Sequence, residues 1–409
     1  MRNRETGRTR KKGLLIGIST NVIALGTVSL LTDMSSEMIY PILPLFLTAI
    51  GATGLVIGLI EGASETTASL VKVISGWYSD RSARRKPFIT YGYSASTVTK
   101  PVLALATSPL QVLSIRIVER VGKGIRTAPR DALIADSTDP RYRGRAYGLH
   151  KAFDSLGAVI GPALVIPILL SASVITTGTY RIAFLISTIP AVIAVMVAIL
   201  FVKEKRGAHK ERTGTFLKDV RKLGKPFYSL MAVVTIFYIG EISYAFFVLR
   251  AYEEGIGAIT TILLYILYNA VFVLAAFPSG IISDTLGRRP VLLLSFGVFA
   301  AAAVVMAAAN SLWMLAIGFA MFGVYKGTSE GIFKAAVTDV APAHLHGTAL
   351  GTFHTAVGLV MLPGGVIAGY LWDNIGHWAT FAYGFTTAIT AAVILLSIRS
   401  SPGTKTIET

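Results

Sequence analysis

Apolar stretches long enough to cross a bilayer, about 20 residues each, follow one another along the whole chain with short polar connections between them. About twelve can be counted, centred near Asp33, Thr66, Ser96, Val121, Gly157, Pro190, Ile239, Asn269, Gly297, Phe322, Leu359 and Thr387, and the polar stretch from Lys203 to Lys225 divides six from six. The pattern predicts an all-α integral membrane protein: a tail over 1–13, a six-helix bundle over 14–202, a central loop over 203–226, a second six-helix bundle over 227–398 and a tail over 399–409. The apolar run that starts at Leu14 continues to about Ile50 without a small-residue cleavage pattern, so it reads as a retained first helix and not as a secretory signal.

The two halves repeat one another. Gly76, Ser79, Asp80, Arg84 and Arg85 end one apolar stretch and begin the next, as do Gly280, Ser283, Asp284, Arg288 and Arg289, and 204 residues separate Asp80 from Asp284. The same offset carries Glu37 onto Glu241 and Tyr40 onto Tyr244; an offset of 203 aligns Lys123-Gly124 with Lys326-Gly327 and Asp136 with Asp339. Parallel repeats of this size are a building plan of secondary transporters, so two pseudo-symmetric bundles are expected.

Composition agrees: 53% of residues are hydrophobic and 15% charged, with mean hydropathy +0.64, too apolar for an ordinary soluble chain. The net charge of +16 would raise nucleic acid as a partner if it were spread over one face. Instead the basic residues sit in alternate connections, such as Arg81, Arg84, Arg85 and Lys86, then Arg141, Arg143 and Arg145, then the central loop. The intervening connections 48–54, 107–109 and 310–311 hold no Lys or Arg. By the positive-inside rule both termini and the central loop face the cytoplasm, in a multi-pass protein of the cell membrane, and no nucleic-acid partner is expected. Without cysteine neither a disulfide framework nor a thiolate metal site can form.

Four sets of residues resemble signatures of the major facilitator superfamily. Gly76, Asp80, Arg81, Arg84 and Arg85, with the second copy Gly280, Asp284 and Arg288, match its loop signature; Ala83 replaces a glycine and Thr285 an arginine. The segment from Leu31 to Pro44, holding Asp33, Glu37 and Tyr40, is similar to the first-helix motif of drug and proton antiporters. Arg120, Gly122, Lys123, Gly124 and Arg126 resemble the fourth-helix motif, with Lys123 in the place of a glutamine and Arg126 in that of the last glycine. Gly157, Gly161 and Pro162 are similar to the antiporter signature of the fifth helix, with Val165 and Ile166 in place of its final glycines. The resemblance implies the twelve-helix major facilitator fold, alternating access, a conformational latch at the two loop signatures, and a proton-coupling role for the buried Arg120.

Intramembrane charges then mark the site, because each costs about 2.5 to 3.5 kcal/mol to insert. Asp33 and Glu37, four residues apart, share a helix face, and Pro41 and Pro44 can interrupt that helix as in transporter binding sites. Span two carries Glu61, Glu65, Ser69 and Lys72 at helical spacing; span four carries Arg116, Glu119, Arg120, Lys123, Arg126, Arg130 and Asp131; span five carries His150, Lys151 and Asp154. Glu241 lies among Phe237, Tyr238, Tyr244, Phe246 and Phe247, a wall suited to an organic cation, although the phenylalanines read equally as lipid-facing packing. Lys326, Glu330 and Lys334 share a face of span ten. The expected cavity comprises Asp33, Glu37, Tyr40, Glu65, Arg120, Lys123, Glu241 and Tyr244, and the expected inner gate Arg126, Arg130, Asp154, Lys326 and Glu330.

The reading is a proton-coupled secondary transporter, most simply an antiporter exporting an organic compound or drug, with protons as coupling ion, membrane lipids around it and a monomer as the working unit. No cofactor and no metal are expected. A symporter or exporter of an anionic, metal or lipid solute is the alternative. Gly327, Ser329 and Gly331 formally match a hydrolase nucleophile pattern, but that pattern has meaning at a strand-to-helix elbow and these residues fall in a predicted membrane helix. A non-transporting sensor on the same fold would have no use for so many costly central charges.

Overall fold

A computed structural model describes residues 18–82, 84–205, 219–342 and 345–398, with the Asp80 side chain outside the described set. Among the described residues twelve spans are built from fourteen α-helices: α1 (Thr20–Ile39) and α2 (Leu43–Ala49), α3 (Gly54–Ser82), α4 (Lys86–Ala104), α5 (Pro109–Asp136), α6 (Arg143–Leu170) and α7 (Thr177–Phe201) in the first half. The second half holds α8 (Gly224–Ile239) and α9 (Tyr244–Glu253), α10 (Ala258–Leu286), α11 (Arg288–Ala308), α12 (Leu312–Asp339), α13 (His346–Asn374) and α14 (His377–Ser397). Eight spans are long and apolar enough to cross a membrane by composition alone. The four that fall short are α3, α4, α5 and α12. They carry Glu61, Glu65, Lys72, Lys100, the span-four charges, Lys326 and Glu330, so their polar faces must turn inward. Outward, Leu200, Leu274 and Phe277 are more than two-thirds exposed, as lipid contact allows.

The first span of each half is broken at the same place. Between α1 and α2, Pro41 supplies no N–H to a continuous helix and Pro44 opens the next one. Between α8 and α9 there is no proline. Gly240 ends α8 where a Cβ would lie 1.8 Å from Thr387 Oγ1, and Ser243 accepts a hydrogen bond from the Ala245 amide at 3.3 Å to start α9. Glu37 lies in the last turn of α1 and Glu241 within the second break, as expected where unwound backbone lines a binding cavity.

Side-chain caps define the two ends of the bundle. At the end carrying the chain termini, Asn21 reaches Ser137 Oγ at 2.8 Å and the Lys203 carbonyl at 3.0 Å. There too Glu204 accepts from the Arg85 and Lys86 amides at 2.8 and 2.9 Å. At the far end Arg181 donates to the Ala106 carbonyl at 2.9 Å and Arg250 to the Met306 carbonyl at 3.3 Å.

The halves meet mainly along α3 and α13. A Cβ on Gly58 would lie 2.0 Å from the Gly365 carbonyl oxygen, one on Gly62 2.6 Å from that of Met361, and one on Gly369 2.3 Å from that of Gly54, so backbone packs on backbone as small residues permit. Lys72 and His354 carry this contact toward the termini end at 3.3 Å. Beyond, Gly144, Gly148, Gly280 and Gly331 all face open space. The contacts between the halves along this seam thus run from Gly54 and Asp373 at the far end to Lys72 and His354, so the bundle is closed at the far end and its halves part toward the termini end. Gly58→Val is expected to keep α3 and α13 apart at a cost of about 1 to 3 kcal/mol, lowering the melting temperature in detergent, whereas Gly280→Ala, with nothing to strike, should leave it unchanged.

Candidate functional site

Between α3 and α5, facing the other half, lies a knot of paired charges. Arg116 of α5 bonds Glu119 one turn on and lies 3.8 Å from Glu61 of α3. Arg120 lies 3.1 Å from Glu65. Both guanidiniums stand over the Tyr40 ring, 5.2 and 5.4 Å from its centre, a cation–π arrangement that helps to offset the burial of two like charges. Ser243 crosses between the halves and donates to Glu61 at 3.2 Å.

Asp33 and Glu37 are different. They stand on the side of α1 that meets α6: a Cβ on Gly157 would lie 2.6 Å from the Leu30 carbonyl oxygen and 3.1 Å from the Asp33 Cβ, and one on Gly161 2.4 Å from the Met34 carbonyl oxygen and 2.8 Å from the Glu37 Cβ. Only glycine allows that approach, and Pro162 follows at once. Glu37 accepts a hydrogen bond from Tyr265 of the opposite half at 2.9 Å. Among the described residues neither carboxylate has a Lys or Arg within 4 Å, whereas Glu61, Glu65, Glu119 and Glu241 each do. The strongest electrostatic attraction on both comes from Lys123, itself without an ion pair among those residues.

In the second half Glu241 is buried, bonds Lys326 Nζ and accepts from Tyr325 Oη at 2.6 Å. Its other oxygen has no hydrogen-bond partner. Lys326, expected beside Glu330, thus pairs with Glu241, and Glu330 lies 3.5 Å from Lys334. Phe237, Phe246 and Phe247 do not face lipid. All three are buried, Phe237 stacking on Phe296 at 4.5 Å and Phe247 on Phe322 at 4.4 Å. The aromatic file beside Glu37 runs Tyr40, Tyr244, Tyr265, Tyr268, Phe322, with successive ring centres 6.1, 5.5, 5.5 and 5.2 Å apart.

Toward the open end, Arg126 turns away from the gate onto α4, bonding Ser96 Oγ at 2.6 Å and covering the Tyr93 ring at 4.4 Å. Arg130 pairs with Asp131 at 2.9 Å, and Asp154 lies 3.7 Å from His150. The two loop signatures make matching contacts inside each half. Arg85 bonds Ser79 at 2.8 Å and lies 3.6 Å from Asp136; Arg288 bonds Ser283 at 2.7 Å, Asp339 at 3.1 Å, and Asp284. Arg81 lies over Trp77 at 4.2 Å, Arg84 is exposed, Gly76 packs near Ala128, and Gly280 has no close neighbour. The Asp80 side chain and Ala83 lie outside the described residues.

Sequence reasoning missed Lys100, Tyr265 and Tyr268. Lys100 is 2% exposed, and its ammonium reaches Ser36 Oγ, between Asp33 and Glu37, at 3.2 Å. A lone lysine in a span was itself a signal. The two tyrosines carried none, because a tyrosine in an apolar run costs little wherever it points.

A bundle of this topology, with charged and aromatic side chains converging between two repeated halves, is that of a membrane transporter. The sequence profile of the Major Facilitator Superfamily matches residues 25–273 and 230–408, and the chain belongs to that family. It is 38% identical over 387 residues to an uncharacterized MFS-type transporter of Methanocaldococcus jannaschii, covering 93% of this chain and 95% of the relative. It is 30% identical over 134 residues to the multidrug resistance protein MdtH of Photorhabdus laumondii, 32% of this chain and 33% of that one. The solved structure of a point mutant of the nucleoside transporter NupG superposes with TM-score 0.78 at 12% identity, covering 92% of this chain and 99% of that one; the likeness is one of fold. The protein is a multi-pass membrane transporter of small solutes and not an enzyme. Ser329 accordingly lies buried inside α12, its hydroxyl bonded 3.4 Å to the Lys326 carbonyl of its own helix.

Proposed function

We propose that the protein exchanges protons for an organic compound by alternating access, exporting the compound across the cytoplasmic membrane with both termini in the cytoplasm. The observation that carries this is the isolation of Asp33 and Glu37. In the middle of the cavity they are the carboxylates that can take up a proton without breaking an ion pair. Glu37 also touches both halves through Tyr265, so its protonation bears on the contact that alternation must remake.

The solute's charge follows from the same groups. Ionised, the pair offers two negative charges beside a file of tyrosines, a setting for an organic cation. Protonated, it leaves the field of Lys123 and Arg120, which repels one. Proton and cation thus compete for the cavity, which is the requirement for antiport. The partial likeness to a multidrug resistance protein supports the same direction. Lys72, Lys123 and Lys151 on the open side favour a second reading, an anionic solute moving together with the protons.

Purified protein in liposomes with an internal pH dye separates the two. Under an imposed proton gradient, aromatic cations added on one side should draw protons toward that side, opposite to their own movement. Proton movement in the same direction as an added carboxylate or phosphate ester would replace antiport of a cation with symport of an anion. No solute-dependent proton movement with any class would remove the coupling.

A further inference from the structure

We infer that Asp373 is a clamp that holds the far end of the transporter shut by capping a helix of the opposite half. A helix start leaves its first backbone N–H groups without intrahelical partners. At the start of α3 the preceding Thr53 serves only the Val56 amide, at 3.4 Å. The Gly54 and Leu55 amides are served from across the bundle: Asp373, near the end of α13, accepts from Gly54 N at 2.7 Å through one carboxylate oxygen and from Leu55 N at 2.8 Å through the other. A carboxylate at this position also meets the positive end of the α3 dipole.

The geometry around the cap fits a specific contact. A Cβ on residue 54 would lie 2.7 Å from Asp373 Oδ1, so glycine there is what lets the carboxylate in. The seam beside it is not sealed by packing. A cavity of about 340 Å³ opens next to the clamp, lined by Thr48, Thr53 and Ile57 of one half and Leu249, Tyr252 and Trp372 of the other. That corner is therefore held by the two hydrogen bonds together with the close contact of Gly369 on the Gly54 carbonyl.

The clamp is also one-sided. The repeat offsets of 203 and 204 place Leu170 and Leu169 where Asp373 would recur in α6, and neither leucine can cap α10. Any opening of the far end must pull Asp373 off α3 while the α6–α10 side has no such bond to break, so the clamp biases the transporter toward the state open at the termini end. The inference requires that the far end open, as alternating access does, but it is independent of solute and of protons.

The chain contains no cysteine, so spin labels can be placed without background. Val174→Cys with Asn310→Cys reports across the far end, and Arg141→Cys with Thr285→Cys across the termini end; all four positions are exposed. In lipid nanodiscs, double electron–electron resonance on Asp373→Ala should raise the ratio of far-end-open to far-end-closed molecules about tenfold, the size of a lost helix cap, and shorten the distance at the other end. Asp373→Asn, which keeps one acceptor oxygen, should fall between and decides the matter if the alanine variant does not fold. A wild-type far end that samples two distances in a ratio neither variant changes would overturn the clamp alone. A far-end pair fixed at one distance in wild type and variants alike would overturn the clamp together with alternating access.

Discussion

Asp33→Asn and Glu37→Gln are each expected to abolish proton-driven accumulation of solute while leaving insertion, folding and gradient-free exchange in place. A pH difference of one unit is worth about 1.4 kcal/mol per proton, so a carrier coupled to one proton holds its solute at about a tenfold concentration ratio. The amide variants should hold it near unity. The physical ground is narrow. Asn and Gln keep the volume, so the contacts of Gly157 and Gly161 with residues 33 and 37 survive, and the glutamine of the second variant keeps an oxygen for the Tyr265 hydroxyl, which now lies 2.9 Å from Glu37. What is lost is the ability to carry a proton. Tyr265→Phe supplies the contrast. It deletes the hydrogen bond between the halves while keeping the carboxylate, and should alter the rate of exchange without altering the accumulated ratio. A normal ratio in both amide variants would take the pair out of the coupling.

Much of this site could be read from the chain because the bilayer makes polarity expensive. In a soluble protein Asp33, Glu65 or Arg120 would pass without notice, but in an apolar run each had to face something, and the helical spacing of Glu61 and Glu65 or of Arg116, Arg120 and Lys123 fixed which face that was. The interruption of the first span was equally legible, since Pro41 and Pro44 stand at it. Its counterpart between α8 and α9 was not, because Gly240 breaks the helix through contact with Thr387, almost 150 residues away in sequence, and only the repeat offset from Tyr40 to Tyr244 hinted at it. What the one-dimensional pattern could not supply was partnership. Lys326 lay on one helix face with Glu330 and read as its neighbour's partner, yet α12 rotates it toward Glu241. Asp373 sat at the end of a span, where an acidic residue is inexpensive and carries no signal, and its partners are backbone amides that no sequence pattern displays.

The pairing of Glu241 with Lys326 predicts a second large effect, on stability. Glu241 is 2% exposed and Lys326 about a quarter exposed, so removing either partner strands the other's charge inside the bundle. For buried pairs that loss is about 3 to 5 kcal/mol, and the partial exposure of Lys326 puts Glu241→Gln, which leaves the lysine with water nearby, at the lower end. Lys326→Met should be the more damaging, because Glu241 would keep only the Tyr325 hydroxyl while its second oxygen already lacks a partner. The double variant Glu241→Gln with Lys326→Met leaves no stranded charge and should recover most of the loss, so a double-mutant cycle on melting temperatures in detergent would return a clearly non-additive term. Additive losses would mean that the two charges do not depend on each other. The same pairing separates the two repeats in function. Glu37 and Glu241 are repeat-related, Glu37 in the last turn of its helix and Glu241 in the break itself, but Glu241 is paired with a lysine of its own half, whereas among the described residues Glu37 has a tyrosine of the other half as its one hydrogen-bond partner. A proton taken up at Glu241 would have to break an ion pair first; one taken up at Glu37 breaks none. Under the proposed exchange, the fold thus makes from two repeat-related carboxylates one that anchors a half and one left to carry a proton between them.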